Sequence, residues 1–258
     1  MSIAARGVEV PAAPLSDETR VWSPVPLIAM LSVLLGMVVA WGWYQRIEGF
    51  TSGLDATDPA FAEKWMPLWY LNCALAAVSQ VAIPLYFWFT RDRALGRITP
   101  AIELKRYLIL FALLLTGSLG GVIALAFGTV DAAWHQIVVR DTSLTPSHIV
   151  LFFGIVPLNV AFGMSAFLYS MTRIPYYAEK ISVAMLIAFT GPFMALPSVA
   201  YNEWGHAYWM MEELFIAPLH WGFVILGWAS LSMFAVLLQS LPRVIELARI
   251  VGTPEPAR

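Results

Sequence analysis

The sequence is poor in charge. Only 12% of its 258 residues are Asp, Glu, Lys or Arg, against about 25% in an ordinary soluble domain. The net charge of −2 supplies no basic face and excludes nucleic acid as a partner. There is one cysteine, Cys73, so no intrachain disulfide can form and the redox compartment cannot be read from thiols. The first 22 residues contain no apolar core of the secretory type. They read as a polar tail with no cleaved signal, which leaves the first spanning helix to direct insertion. Histidine is also scarce, four in all. What is abundant is apolar: 59% hydrophobic residues with 11 Trp and 15 Phe, at a mean hydropathy of +0.71. That balance belongs to a polytopic membrane protein.

A helix needs roughly 20 apolar residues to cross about 30 Å of hydrocarbon. Six uncharged runs meet or approach this, at 25–44, 66–89, 107–127, 149–171, 181–199 and 214–241. The expected fold is therefore all-α, a membrane bundle of about six transmembrane helices. A polar N-terminal tail (1–22) precedes the membrane domain (23–241), and a C-terminal tail (242–258) follows it. Ser23-Pro24 and Thr99-Pro100 read as helix openings. Pro84, Pro157, Pro192, Pro197 and Pro218 should kink their helices, because each lacks an N–H and crowds the preceding turn. Twelve of the 15 basic residues fall on one side of this topology, in the N-terminal tail, the 91–106 loop, Arg173, Lys180 and the C-terminal tail. Arg46, Lys64 and Arg140 fall on the other. The positive-inside bias places both termini in the cytoplasm and the loops 45–65, 129–147 and 200–213 outside.

Two stretches that begin in those outer loops and end in the next helix carry every histidine. Asp131, His135 and His148 form one set; Asn202, His206 and His220 repeat its layout. In each, an oxygen ligand precedes a His by four residues, and a second His follows thirteen or fourteen residues later. Residues four apart share a helix face. Thr145 and Pro146 read as the N-cap and first residue of the fourth helix, which puts His148 in its first turn. His220 lies nearly two turns into the sixth helix, after Pro218. One carboxylate and two imidazoles suit Zn, Cu or Fe, with a position left open. The amide of Asn202 makes the second set a weaker, neutral one. Glu203, Glu212 and Glu213 lie within it and could supply a carboxylate or a proton route. Blander roles compete: a His near a helix end also serves as an interfacial hydrogen-bonding group, Arg140-Asp141 reads first as a local ion pair, and Met210 and Met211 read first as interface filler. Trp65, Trp69, Trp134, Trp204, Trp209 and Trp221 read first as an aromatic belt. Polar groups at membrane depth are nonetheless functional candidates by default.

Several longer motifs carry a resemblance. WHQIVVRDTSLTPSHI, TRIPYYA, GPFMALPSVAYNEWGH and MEELFIAPLHWGFV, with GLD at 53–55 and TRDR at 90–93, resemble the C subunit of the copper membrane monooxygenases. That family includes particulate methane monooxygenase, ammonia monooxygenase and short-chain hydrocarbon monooxygenases. The similarity runs from about residue 53 to residue 239. It implies an all-helical, multi-pass subunit of a bacterial cell membrane, inner or intracytoplasmic, assembled with A and B subunits as a trimer of heterotrimers. It also implies two copper sites, Asp131, His135 and His148 in one and Asn202, His206 and His220 in the other. The implied reaction inserts one oxygen atom of O2 into a small apolar substrate or ammonia, with a membrane quinol as reductant and lipid around the site. Asn202, His206 and His220 are expected to lie nearer the oxygen chemistry, because their weaker ligand field leaves room for it. One departure is visible: Leu151 stands where many methane and ammonia members have Glu, which leans the substrate towards short-chain hydrocarbons. Against this stand a haem-binding anchor using His148 and His220, a structural subunit with vestigial sites, and a proton-coupled transporter. The transporter would place charges deep in several helices, whereas here they gather at the ends.

Overall fold

The computed structural model describes residues 24–49, 51, 57–134, 144–190 and 230–252. It is helical, with no strand among the described residues. The helices are α1 (Val25–Glu48), α2 (Pro59–Phe89), α3 (Pro100–Trp134), α4 (Pro146–Arg173), α5 (Pro175–Glu179), α6 (Val183–Thr190) and α7 (Ser230–Gly252). Five of them, α1 to α4 and α7, are long and apolar enough to cross a membrane. The fifth apolar run enters the described residues only as α6, and the sixth only as α7.

The helix ends differ from those expected from the apolar runs, and for one reason. Charged residues do not stop these helices where they can pair with each other. α2 begins at Pro59, capped by Asp58, whose Oδ1 accepts from the Ala60 N–H at 2.9 Å. Lys64, in its second turn, bonds Glu48 of α1 at 2.5 Å. α7 runs through Pro242 to Gly252 rather than ending at residue 241, and its Arg243 makes two bonds to Glu103 of α3 at 3.0 and 2.7 Å. α3 has 35 residues, a length of about 52 Å. A hydrocarbon layer is about 30 Å thick, so α3 is longer than a single crossing needs. Asp131 sits on the last helical turn of α3 rather than in a loop.

Packing separates into two buried clusters along the bundle. One joins Leu34, Tyr107, Leu110, Tyr169, Tyr177, Met185 and Leu247; the other joins Trp41, Phe61, Trp65, Ile149, Val150, Leu151 and Ile155. Trp65 is 0% exposed and meets Tyr44 edge-on at 5.2 Å. It is a core residue rather than a member of an interfacial belt. α3 and α4 approach closely because Gly120 leaves room: a Cβ there would lie 2.1 Å from Asn159 Oδ1. Small residues at such crossings let backbones approach where packing, not water exclusion, drives association. The outward faces of α1 and α2 remain strongly apolar, with Val39, Trp43, Val78 and Phe89 exposed.

Candidate metal centre

α4 opens at Thr145, whose extended backbone (φ −60°, ψ 154°) precedes Pro146 as the first helical residue. Both positions are those expected, but the Thr145 side chain makes no capping bond. His148 is the third residue of the helix and 2% exposed. On the neighbouring helix, Asp131 is 7% exposed. Its Oδ2 lies 3.5 Å from His148 Nε2. Charge-assisted hydrogen bonds are usually about 2.7–2.9 Å. Two donors on one metal, each bonded at about 2.0–2.1 Å, stand roughly 2.8–3.4 Å apart. The separation is thus near that of two ligands of a shared ion. An imidazole nitrogen and a carboxylate oxygen are a donor set that Zn, Cu and Fe accept, so the residues present fit a metal.

The turn carrying His148 is held on all sides. Ile149, Val150 and Leu151 are each 0% exposed. Phe152 lies with its ring centroid 4.9 Å from the His148 ring. Over Leu151–Ile155 the helix widens into a π segment, a feature frequent at functional sites. Where the ladder changes spacing, Asn72 of α2 steps in. Its Nδ2 donates to the Ile149 carbonyl at 3.0 Å, and its Oδ1 accepts from Trp41 Nε1 at 3.1 Å. Asn72 thereby ties α1 and α2 to the residue following His148. Gly154 allows this fit: a Cβ there would meet the Trp41 ring at 3.0 Å and Asn72 Nδ2 at 3.3 Å. Two hydroxyls beside the site, Thr145 Oγ1 and Ser147 Oγ, are buried without a hydrogen-bond partner among the described residues.

Of the six predicted ligands, the structure brings Asp131 and His148 together. His135, Asn202, His206 and His220 lie outside the described residues, as do Arg140, Asp141, Glu203, Met210, Met211, Glu212 and Glu213. Among the described residues no group of three His, Cys, Asp or Glu forms. Sequence inspection missed Asn72; its only signal was a lone amide in an apolar run, which membrane energetics flags as costly and therefore purposeful.

With this geometry in place, comparison with known families is decisive. Residues 13–251 match the family of C subunits of ammonia monooxygenase/methane monooxygenase. The chain belongs to that family. No individual curated protein gives a significant match. As a C subunit, the chain is part of a membrane monooxygenase complex with partner subunits. Its five long apolar helices agree with a multi-pass membrane location. The Asp131–His148 pair joins α3 and α4 at one end of this monooxygenase component.

Proposed function

We propose that this C subunit holds copper in a monooxygenase complex that inserts one oxygen atom of O2 into a small apolar substrate. The observation carrying the proposal is the buried approach of Asp131 Oδ2 to His148 Nε2 at 3.5 Å. Asp131, His135 and His148 form the tighter site. Asn202, His206 and His220 form the second, closer to the oxygen chemistry. Copper, when bound, supplies the redox chemistry that activates O2.

The chain itself contributes binding, orientation and exclusion of water. The Asp131 carboxylate supplies negative charge to the site. His148 presents Nε2 to it from a turn fixed by Asn72 and by three wholly buried neighbours. The surrounding apolar cluster excludes water and lowers the local dielectric, which strengthens each charge interaction within it. Leu151, fully buried, puts an apolar side chain where many methane and ammonia members have a carboxylate. That favours a short-chain alkane or alkene over methane or ammonia. The complex is read as a trimer of A, B and C heterotrimers in a bacterial membrane, with this chain's termini cytoplasmic and a membrane quinol supplying electrons.

The test is turnover by the intact complex in native lipid, with O2 uptake measured on ammonia, methane, ethane, propane, butane and propene. Activity lost on copper chelation and restored by copper, and highest on short-chain hydrocarbons, is the expected result. Oxidation of none of the six after copper is restored would reject the function.

A further inference from the structure

A half-open pocket of about 140 Å³ lies between α1, α2 and α4, beside the Asn72–Trp41 pair. Its walls include Met37 and Trp41 of α1, Leu75 and Ala76 of α2, and Phe153 and Ala161 of α4. Two polar side chains line it, and both are already bonded. Asn72 holds the Ile149 carbonyl and the Trp41 indole. Ser79 Oγ donates to the Ala76 carbonyl at 2.9 Å. A water held there would need two to four polar partners, which these walls do not offer, so apolar contents are favoured. We infer that this cavity is a binding site for one small apolar molecule, of the size of xenon or a hydrocarbon of up to about four carbons.

Position supports this use. Leu75, on the rim, is 45% exposed on the apolar outer surface of α2, so a molecule dissolved in the bilayer can reach the cavity without crossing a polar layer. The inner wall is Asn72 and the π segment, whose Gly154 and Phe153 also line the cavity. The occupant would therefore wait one helical turn or two from His148. Only the identity of the natural occupant as a substrate rests on the proposed function; the site itself does not.

The experiment uses crystals of the intact complex, pressurised with xenon, with anomalous scattering as the readout. A xenon peak between α1, α2 and α4 is expected, lost in Ala161→Leu and reduced when the crystal is first equilibrated with propane. Should Ala161→Leu fail to assemble, Ala76→Val narrows the same space from the opposite wall. No peak in the native complex, acyl-chain density filling the space, or a peak surviving both variants overturns the site. Failure of propane to displace xenon overturns the hydrocarbon assignment. In turnover, Ala161→Leu should raise the KM for propane by roughly tenfold with kcat retained. A complex that binds xenon but oxidises nothing would reject the monooxygenase reading and leave the cavity assignment standing.

Discussion

The two ends of the bundle solve the same problem in different ways. At the basic end, each buried charge described has an opposite charge of this chain within reach. Arg106 bonds Asp92 at 2.6 Å and the Arg173 carbonyl at 2.6 Å. Arg243 spans Glu103 and Glu246. A cavity of about 620 Å³ there is bordered by Tyr107 and by the paired Glu103, Arg243 and Glu246. At the histidine end, the pair of Asp131 and His148 is more deeply buried and its members approach each other at 3.5 Å, and two neighbouring hydroxyls have no hydrogen-bond partner among the described residues. The first end is tied by ion pairs. The second brings two donors to a separation near that of two ligands on one ion. Removing a side chain should therefore cost stability at one end and metal at the other.

His148→Ala should give the largest effect. It should abolish copper at its site, beyond the roughly 10–100-fold loss that follows removal of an outer partner of a ligand, and should lower the unfolding temperature chiefly by the stabilisation the lost metal supplied. Metal analysis alongside thermal unfolding checks both halves. Asn72→Ala comes next and cuts across the comparison. It strands the Ile149 carbonyl and the Trp41 indole, each worth about 1–3 kcal/mol when buried and unpaired. It should lower both stability and copper affinity, since it frees the turn that carries His148. A loss of stability with copper affinity unchanged would remove Asn72 from the site.

Arg243→Ala should destabilise without touching metal. Breaking a buried ion pair costs about 3–5 kcal/mol. The Arg243 side chain is 41% exposed and that of Glu103 8%, so solvent screening reduces this to about 1–3 kcal/mol. Glu103→Ala should cost less, because the stranded guanidinium still reaches water and Glu246. Equal costs for the two variants would show that burial of Glu103 is not what the pair offsets.

The smallest effect is a pH dependence at the same end. The Ala94 N–H and the Arg106 guanidinium hold the Asp92 carboxyl below its ordinary 3.8. Its stabilising contribution is fully present above that ordinary value and is lost as pH falls through the depressed one. Asp92→Asn should be less stable than the native complex at neutral pH and should converge with it in acid. Parallel unfolding curves at all pH values would contradict the pairing.

Much of this was legible in the sequence because lipid enforces it. Long apolar runs have few alternatives to spanning helices, and a carboxylate and an imidazole at the ends of adjacent spans had to meet at one face. The helix ends were not legible. Lys64, Glu103 and Arg243 look like boundaries until their partners, distant in sequence, are known. Trp65 looked like a belt residue because its position along α2 is near the end; only the packing of Tyr44 and the turns after His148 buries it. The π segment left no mark beyond Pro157. Asn72 could be seen as unusual but not as the group that fixes Ile149, since nothing in a one-dimensional pattern links residues 72 and 149.

The most direct measurement is the copper content and copper-edge absorption of the intact complex, taken in parallel on the native form, His148→Ala and Arg243→Ala. His148→Ala should lose one copper per copy of this chain, with its nitrogen ligands, and Arg243→Ala should keep native copper despite lower stability. Native copper content in a folded His148→Ala complex would contradict the assignment of His148 as a ligand.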